Sequence, residues 1–198
     1  MKKEIINSLK MLLLMTLITG LVYPFFITEV GKIFFDYKAN GSLYKENQKI
    51  RGSLLLGQNF TDSIYFHPRP SAIDYNPMPS GGSNLGLTSK LLYQQFHERK
   101  RNFELTNSID SMKQIPAEML FASASGVDPE ISKEAAYLQV PRIVQARNFH
   151  NQAAIELYKL IDEITMSPDL GILGTERVNV LKLNILLDNY GERWKSQN

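Results

Sequence analysis

The residues that could do chemistry in this chain are its histidines, one glycine-rich polar turn and a few acidic side chains. The three histidines, His67, His97 and His150, follow no metal-ligand spacing. The Ser-Gly-Gly-Ser of Ser80–Ser83 could present backbone N–H groups to an anion, as phosphate-binding nests do, or form a tight turn that orders a loop. Asp128 precedes a proline and suits either an acid or the start of a turn. None of these patterns specifies a reaction by itself.

Composition excludes several classes of function. The 198 residues include no cysteine, so this chain has no thiolate metal site, cysteine nucleophile or disulfide. The GxSxG, HExxH and Walker A patterns are all missing from the sequence. A net charge of +2 is too small to indicate nucleic-acid binding. We therefore predict a chain that holds no metal and binds no nucleic acid, and no constellation of residues supports an independent enzyme.

One long stretch, Gly57–Thr88, dominates the middle of the sequence and is called the first loop. Its four prolines and four glycines rule out a regular helix or a central strand. It also carries aromatic residues that a disordered linker would lack: Phe60, Tyr65, Phe66 and Tyr75. Long loops in compact domains are usually functional, so we predict an ordered loop that holds one shape. A second Gly/Pro-rich stretch, Ser123–Ser132, is called the second loop.

The segments around these loops predict a small mixed domain. The strand candidates are Arg51–Leu56, a short extended piece at Ile64–His67, and Arg177–Leu183. The helix candidates are a helix capped by Thr88 or Ser89, a short one that begins at Pro116, one from Ser132 through Gln139, a further short one to about Asn148, Gln152–Ile164 and Asn184–Tyr190. Val140–Pro141 is expected to interrupt the helix that begins at Ser132.

The N-terminus carries a charge-free apolar run, Met11–Thr28, preceded by Lys2, Lys3 and Lys10. As a helix this run would span about 27 Å, close to the roughly 30 Å hydrocarbon core of a bilayer. We expect an uncleaved membrane anchor in which Pro24 kinks or ends the helix. A cleaved signal peptide is the alternative, but its apolar region would be about 7–15 residues long and would precede a small-residue cleavage site.

The lysines before the apolar run predict a cytoplasmic N-terminus by the positive-inside tendency. The predicted organisation is a cytoplasmic N-terminus (1–10), a transmembrane helix (11–30) and an extracytoplasmic domain (31–198). The predicted fold class is a single N-terminal transmembrane helix followed by a small α+β extracytoplasmic domain with long Gly/Pro-ordered loops. The protein would be a single-pass component of the cell (inner) membrane in contact with lipid.

Specific motifs follow one another along nearly the whole chain. The first group comprises Gly57-Gln58-x-Phe60, Tyr65-Phe66-His67-x-Arg69-Pro70-Ser71-Ala72, Tyr75-Asn76 and Ser80-Gly81-Gly82-Ser83-Asn84-Leu85-Gly86. The second group comprises Ala122–Pro129, Ile131-Ser132, Glu134-Ala135-Ala136, Gln139-Val140-Pro141-Arg142, Ala146-Arg147, and Gly174 with Arg177–Leu181, Leu183 and Asn184. In this order they resemble the C subunit of the Kdp-type potassium-transporting P-type ATPase. The sequence departs from the family pattern at Leu87, Ser89, Glu130 and Thr175-Glu176, which affects loop details.

The resemblance implies a non-catalytic accessory subunit of a high-affinity, ATP-driven potassium uptake complex. Its implied partners are a channel-like potassium-binding subunit and the P-type subunit that hydrolyses ATP. Such a subunit would assemble or stabilise these two partners. The family is also described as a catalytic chaperone that binds ATP and raises the ATP affinity of the hydrolysing subunit, so ATP is the one cofactor that the resemblance implies.

Both hypotheses point to the loops. The candidate residues for binding a partner or a nucleotide are Gln58, His67, Arg69, Ser80, Gly81, Gly82, Ser83, Asn84 and Asp128. With an extracytoplasmic domain, Ser80–Asn84 would lie across the membrane from cytosolic ATP, which favours assembly against the outer mouth of the potassium-binding subunit. Asp74, Asp128 and Glu130 are candidates for focusing potassium there, or for a structural role.

Overall fold

The computed structural model describes residues 1–46 and 49–196, which form two compact units that divide after Arg51. Residues 47, 48, 197 and 198, all within the predicted domain 31–198, lie outside the described residues. One long apolar helix precedes a small α+β region. This confirms the predicted fold class in its coarse form.

The first unit is built on one helical rod that is kinked at Phe35. It consists of α1 (Lys2–Leu17), a π-helical turn (Ile18–Val22) and α2 (Tyr23–Ala39). By length and composition the rod is able to cross a membrane, and its apolar window is not buried inside the protein. Pro24 does not end the helix, contrary to one of the two expectations. The π-helical turn directly before it widens the rod where the proline ring lacks an N–H and needs space.

Two threonine side chains within the rod bond to its own backbone. The hydroxyls of Thr19 and Thr28 each donate to the carbonyl four residues earlier, at 2.7 Å. A helix that satisfies its own polar groups in this way suits a hydrocarbon environment, where water is not available to do so.

The first strands differ from the predicted buried strand at Arg51–Leu56. The structure forms β1 (Leu43–Glu46) and β2 (Lys49–Ser53) as a two-stranded sheet, and Leu54–Leu56 is a turn in which Leu55 is exposed. The Ser53 Oγ accepts from the Leu55 amide at 3.1 Å, a local bond that competes with strand continuation.

The second unit places four helices and a small sheet around one core. Its elements are α3 (Lys90–Asn107), a 3₁₀ turn (Ala117–Met119), β3 (Glu130–Ile131), α4 (Lys133–Ala146), α5 (Asn151–Ile164), β4 (Val178–Asn179) and α6 (Val180–Ser196). Helix α4 packs on α3 and α5, and α5 packs on α6. The core is formed by fully buried apolar side chains that include Phe66, Val140, Ile143, Leu157, Ile161, Val178, Leu183 and Leu187.

Helix α4 runs through Pro141, so the expected interruption at Val140–Pro141 is wrong. Ser132 caps the helix as expected, since its Oγ accepts from the Ala135 amide at 3.1 Å. Pro141 lies on the exposed side of α4. Because proline has no N–H, it cannot donate the helical hydrogen bond to the Tyr137 carbonyl, one turn earlier. A helix held by its buried face tolerates one missing bond at its surface.

The C-terminal strand is shorter than predicted, because β4 contains only Val178–Asn179 and pairs with β3 in antiparallel register. The reason is Asn179, whose Oδ1 accepts from the Lys182 amide at 3.0 Å. A side-chain oxygen at this position is a helix N-cap signal, so α6 begins at Val180 instead of Asn184.

Candidate functional site

The second loop serves as the support on which the first loop lies. Between residues 54 and 89 the chain contains no helix or strand. Hydrogen bonds join the loops at several points along their length: the Gly57 amide to the Val127 carbonyl at 2.7 Å, the Ser123 amide to the Pro70 carbonyl at 3.2 Å, the Ser71 hydroxyl to the Gly126 carbonyl at 2.7 Å, and the Gly81 amide to the Ser125 carbonyl at 3.0 Å. Nearly the whole first loop is thereby fixed to one short segment.

Two glycines make this close contact between the loops possible. A Cβ at Gly57 would lie 2.6 Å from the Asp128 carbonyl oxygen, which no neighbouring side-chain movement can relieve. Gly126 has φ +72°, and a Cβ there would lie 2.4 Å from the Ile73 side chain. A Cβ at Gly81, in contrast, would meet nothing within 4 Å.

Two buried carboxamides hold the middle of the first loop. Asn184 donates to the Phe66 carbonyl at 3.0 Å and accepts from the Phe66 amide at 2.8 Å. Gln139 bonds the backbone of the next residue, His67: it donates to the His67 carbonyl at 3.1 Å and accepts from the His67 amide at 2.7 Å. The predicted extended piece at Ile64–His67 is therefore not a strand, because side chains satisfy its backbone instead of a neighbouring strand.

A buried arginine braces the same segment. Arg142 is 6% exposed and donates to the Ser63 carbonyl at 2.5 Å, to Asn107 Oδ1 at 2.9 Å and to Gln139 Oε1 at 2.8 Å. Among the described residues it has no carboxylate partner, and burial lowers its pKa to about 10. His67 Nε2 lies 3.2 Å from Arg142 Nη1. Burial and then the Arg142 charge lower the pKa of His67, which favours the neutral imidazole.

The loops are also joined by an ion pair. Arg69 Nη1 lies 2.5 Å from Asp128 Oδ2, and Asp128 Oδ1 accepts from the Glu130 amide at 3.0 Å. The Tyr75 hydroxyl donates to the Arg69 carbonyl, and burial raises the pKa of Tyr75 to about 12. Asp128 therefore ties the second loop to the first and also caps its own turn, a structural role.

A second ion pair lies where the first loop meets α6. Arg147 Nη2 lies 2.7 Å from Asp188 Oδ1, and Arg147 Nε donates to the Ile64 carbonyl at 2.8 Å. The Arg147 guanidinium also stacks over the Tyr65 ring at 5.0 Å, and the Tyr65 hydroxyl donates to Asp188. The loop is thus held from both α4 and α6.

The polar turn at Ser80–Asn84 faces solvent. Ser80, Ser83 and Asn84 are exposed, and among the described residues their side chains have no hydrogen-bond partner. The Gly81 amide already donates to the second loop, so an anion nest, one of the two alternatives for this turn, would have one donor fewer than its glycines suggest. This turn is the exposed edge of an otherwise fixed loop.

The structure brings some of the predicted residues together and separates others. Arg69, Gly81, Gly82 and Asp128 all lie where the two loops meet. Other candidates lie apart: Gln58 beside Gly52, His67 beside Arg142, and Glu130 in an ion pair of 3.3 Å with Arg177. Asp74 is exposed in the left-handed region. Within 1–46 and 49–196, no group of three or more acidic or histidine side chains could hold a metal ion.

Sequence reasoning assigned no role to the residues that hold the first loop most firmly: Gln139, Arg142, Arg147 and Asn184. All four belong to motifs that carry the family resemblance. What the sequence could not supply is their target, which is the backbone of a segment more than 70 positions away for Gln139 and more than 110 for Asn184. The signal available in the sequence was that Gln139 and Arg142 fall on the apolar face of a helix, where Gln and Arg are uncommon unless they bond something buried.

Comparison with known proteins agrees with these motifs. The family described as "K+-transporting ATPase, c chain" matches residues 5–189. Proteins named "Potassium-transporting ATPase KdpC subunit" from Mycobacterium tuberculosis (strain ATCC 25618 / H37Rv) and Mycobacterium bovis (strain BCG / Pasteur 1173P2) are 41% identical over 190 residues, or 95% of this chain and 99% of the relative. A protein of the same name from Escherichia coli O7:K1 is 41% identical over 188 residues, or 93% of this chain and 97% of the relative. The chain therefore belongs to the family of K+-transporting ATPase c chains.

Proposed function

We propose that this chain is a non-catalytic accessory subunit of an ATP-driven potassium uptake complex, and that its domain lies outside the cytoplasm. There it docks on the potassium-binding subunit and stabilises that subunit's association with the ATP-hydrolysing subunit. The paired first and second loops are the docking surface. The single helix at residues 2–39 anchors the chain in the cell membrane.

The observation that carries this proposal is the fixed shape of a loop that is exposed at its edge. The first loop is bonded to the second loop, to α4 and to α6, yet Ser80, Ser83 and Asn84 remain exposed at its edge. A preorganised surface loses little conformational entropy on binding, which raises the affinity available from a given contact area. Arg69 and Asp128, whose charged side chains could otherwise take part in chemistry, form an ion pair with each other.

A bulky substitution on the exposed edge tests the docking role. Ser83→Trp adds a large side chain at an exposed position without removing any bond of the loop. Thr106→Trp, at an exposed position on α3, is the matched control. In the full complex purified through a tag on this chain, we expect Ser83→Trp to reduce the recovery of the other subunits and Thr106→Trp to leave it unchanged. Equal recovery for both variants would contradict the proposal.

A second pair of variants tests whether the shape of the loop matters. Gly57→Val introduces a Cβ 2.6 Å from the Asp128 carbonyl oxygen, whereas Gly81→Ala places its Cβ in open space. We expect Gly57→Val to weaken assembly and Gly81→Ala to leave it intact. Circular dichroism of both variants reports whether the rest of the domain keeps its helices.

The alternative function is ATP binding that raises the ATP affinity of the hydrolysing subunit. The observation that favours it is that Ser80, Ser83 and Asn84 are exposed and, within the part of the chain that the structure describes, carry polar side chains without hydrogen-bond partners that could bond a phosphate. It predicts that Ser83→Ala and Asn84→Ala leave assembly intact and raise the KM for ATP of the assembled complex. Under the assembly proposal, the KM for ATP of the correctly assembled complex stays unchanged.

A further inference from the structure

The segment between α5 and β4 forms a narrow hairpin outside the paired loops. Met166 and Arg177 exchange backbone hydrogen bonds of 2.8 and 3.1 Å, and Asp169 and Leu173 exchange two of 2.9 Å. Leu170 has φ +56° and is followed by a glycine, so the chain reverses within the Asp169–Leu173 bridge. The hairpin therefore holds a defined conformation without packing its tip on the core.

The tip of this hairpin is apolar and faces solvent. Leu170 is 89% exposed, Ile172 is 81% exposed and Leu173 is 57% exposed. Turn tips are normally occupied by Gly, Pro, Asn, Asp or Ser, which favour the backbone conformations of turns, whereas Leu and Ile have no such advantage there. Clustered exposed apolar side chains on an ordered element mark an interaction site. We call Leu170, Ile172 and Leu173 the apolar tip.

The charges around the apolar tip indicate the kind of partner. Residues 165–176 contain two carboxylates, Asp169 and Glu176, and neither lysine nor arginine. The side chain of Asp169 is 75% exposed. Arg177, at the base of the hairpin, lies 3.3 Å from Glu130 and 3.5 Å from Asp169, so one cation is shared between two carboxylates and Glu176 adds a third. The rim of the tip is therefore acidic.

An acidic rim argues against two of the three available occupants. Protein segments that enter a lipid surface carry Lys or Arg, which anionic headgroups attract, and this segment has none. A second copy of this chain would place two identical acidic rims against each other, because a two-fold interface brings the same patch together. An apolar pocket with a basic rim on another protein remains the complementary partner.

We propose that the apolar tip inserts into an apolar, basic-rimmed pocket on another subunit of the potassium-transporting complex. This inference rests on the proposed accessory function and adds a second docking point outside the paired loops. The tip supplies the hydrophobic contact and Asp169 faces the basic rim. Because the hairpin is already closed by backbone bonds, its insertion requires little further ordering.

Site-specific crosslinking in the assembled complex tests the contact. A photoreactive amino acid replaces Ile172 in the full chain, which is expressed with its complex partners, and the crosslinked species is identified by mass spectrometry. The control places the same photoreactive amino acid at position 112 in place of Met112, which is 92% exposed and lies outside the hairpin. A crosslink from position 172, and not from 112, to the potassium-binding or ATP-hydrolysing subunit supports the proposal. Crosslinks from position 172 only to lipid or to a second copy overturn it.

A double substitution tests whether the contact contributes affinity. Leu170→Asn/Ile172→Ser removes the two most exposed of the three apolar side chains and places asparagine, which tolerates positive φ, in the turn. We expect roughly a 10-fold or greater loss in retention of the other subunits, as for interface anchors, and no loss with Met112→Ser.

The outcomes separate this inference from the proposed function. If the tip variant keeps the complex intact while Ser83→Trp disrupts it, the hairpin inference is overturned and the paired-loop proposal stands. If the tip variant disrupts the complex and Ser83→Trp does not, the hairpin is the docking element and the paired-loop proposal fails. If neither changes recovery, both are wrong.

Discussion

Replacing Asn184 by leucine removes one of the two carboxamides that hold the first loop. Asn184 is 1% exposed and bonds both the amide and the carbonyl of Phe66, which is itself fully buried. Leucine branches at Cγ as asparagine does and has the same number of heavy atoms, so the substitution deletes the two hydrogen bonds without opening a cavity. The Phe66 amide and carbonyl would then be buried without partners.

The expected loss of stability follows from these two groups. A buried backbone group left without a partner costs about 1–3 kcal/mol, so two groups cost about 2–6 kcal/mol. For a chain of this size, each kcal/mol lowers the melting temperature by roughly 2–4 °C. We therefore expect Asn184→Leu to lower the melting temperature by about 4–24 °C.

Thermal unfolding of the full chain in detergent, followed by circular dichroism, measures this loss. Asn102→Leu is the matched control, because Asn102 is exposed on α3 and surface substitutions usually change stability by no more than about 0.5 kcal/mol. If Asn184→Leu and Asn102→Leu melt at the same temperature as the unmodified chain, the carboxamide does not hold the loop and the reasoning is refuted.

Three further predictions concern the loop supports and α4. The pKa of His67 is lowered in the folded chain, so as the pH falls the unfolded chain takes up a proton at this residue before the folded chain does. The stability that depends on His67 should therefore be fully present above about pH 6.5 and decrease as the pH drops below that value. A His67→Gln variant should lose this dependence in thermal melts recorded at a series of pH values. Gly126→Ala should lower the free energy of unfolding by about 1–3 kcal/mol, because its Cβ would meet Ile73 at 2.4 Å and its φ is +72°; a change as small as that of Gly81→Ala in urea unfolding would be evidence against this steric account. Pro141→Ala should raise the melting temperature, since alanine restores an N–H toward the Tyr137 carbonyl; an unchanged or lower value would mean that the proline stabilises α4 by other contacts.

Local signals in the sequence predicted the parts of the fold that local chemistry decides. Ser132 is the N-cap of α4 as predicted, and Ser89 is the N-cap of α3, for which the sequence left Thr88 and Ser89 as alternatives. The amphipathic spacing of Gln152–Ile164 likewise agrees with α5, which begins one residue earlier. These features depend on neighbours within one or two helical turns.

The misassigned elements are those that distant residues decide. Pro141 reads locally as a helix breaker, but its exposed position and the buried face of α4 keep the helix continuous. Ile64–His67 reads as a strand, but Gln139 and Asn184 satisfy its backbone from two different helices. Spacing along the chain does not encode such long-range pairing, because it depends on which faces the helices present after they pack.

The candidate site was predicted in part. The sequence identified both loops and most of their exposed or paired residues, including Arg69 and Asp128. It did not predict that one loop lies on the other, since each bond between them joins residues more than 40 positions apart. The sequence also indicated the exposed Ser80–Asn84 turn and the Arg69–Asp128 ion pair alike as candidate binding residues, although only the turn remains exposed for a partner.

The side of the membrane on which the domain lies tests the central claim most directly. A reporter active only outside the cytoplasm is attached after residue 198, and a reporter active only in the cytoplasm is attached at the same point in a second fusion. The proposed assembly role predicts activity of the first reporter alone, which places the paired loops away from cytosolic ATP. Activity of the cytoplasmic reporter alone would contradict the account and make Ser80, Ser83 and Asn84 the first residues to test for nucleotide binding.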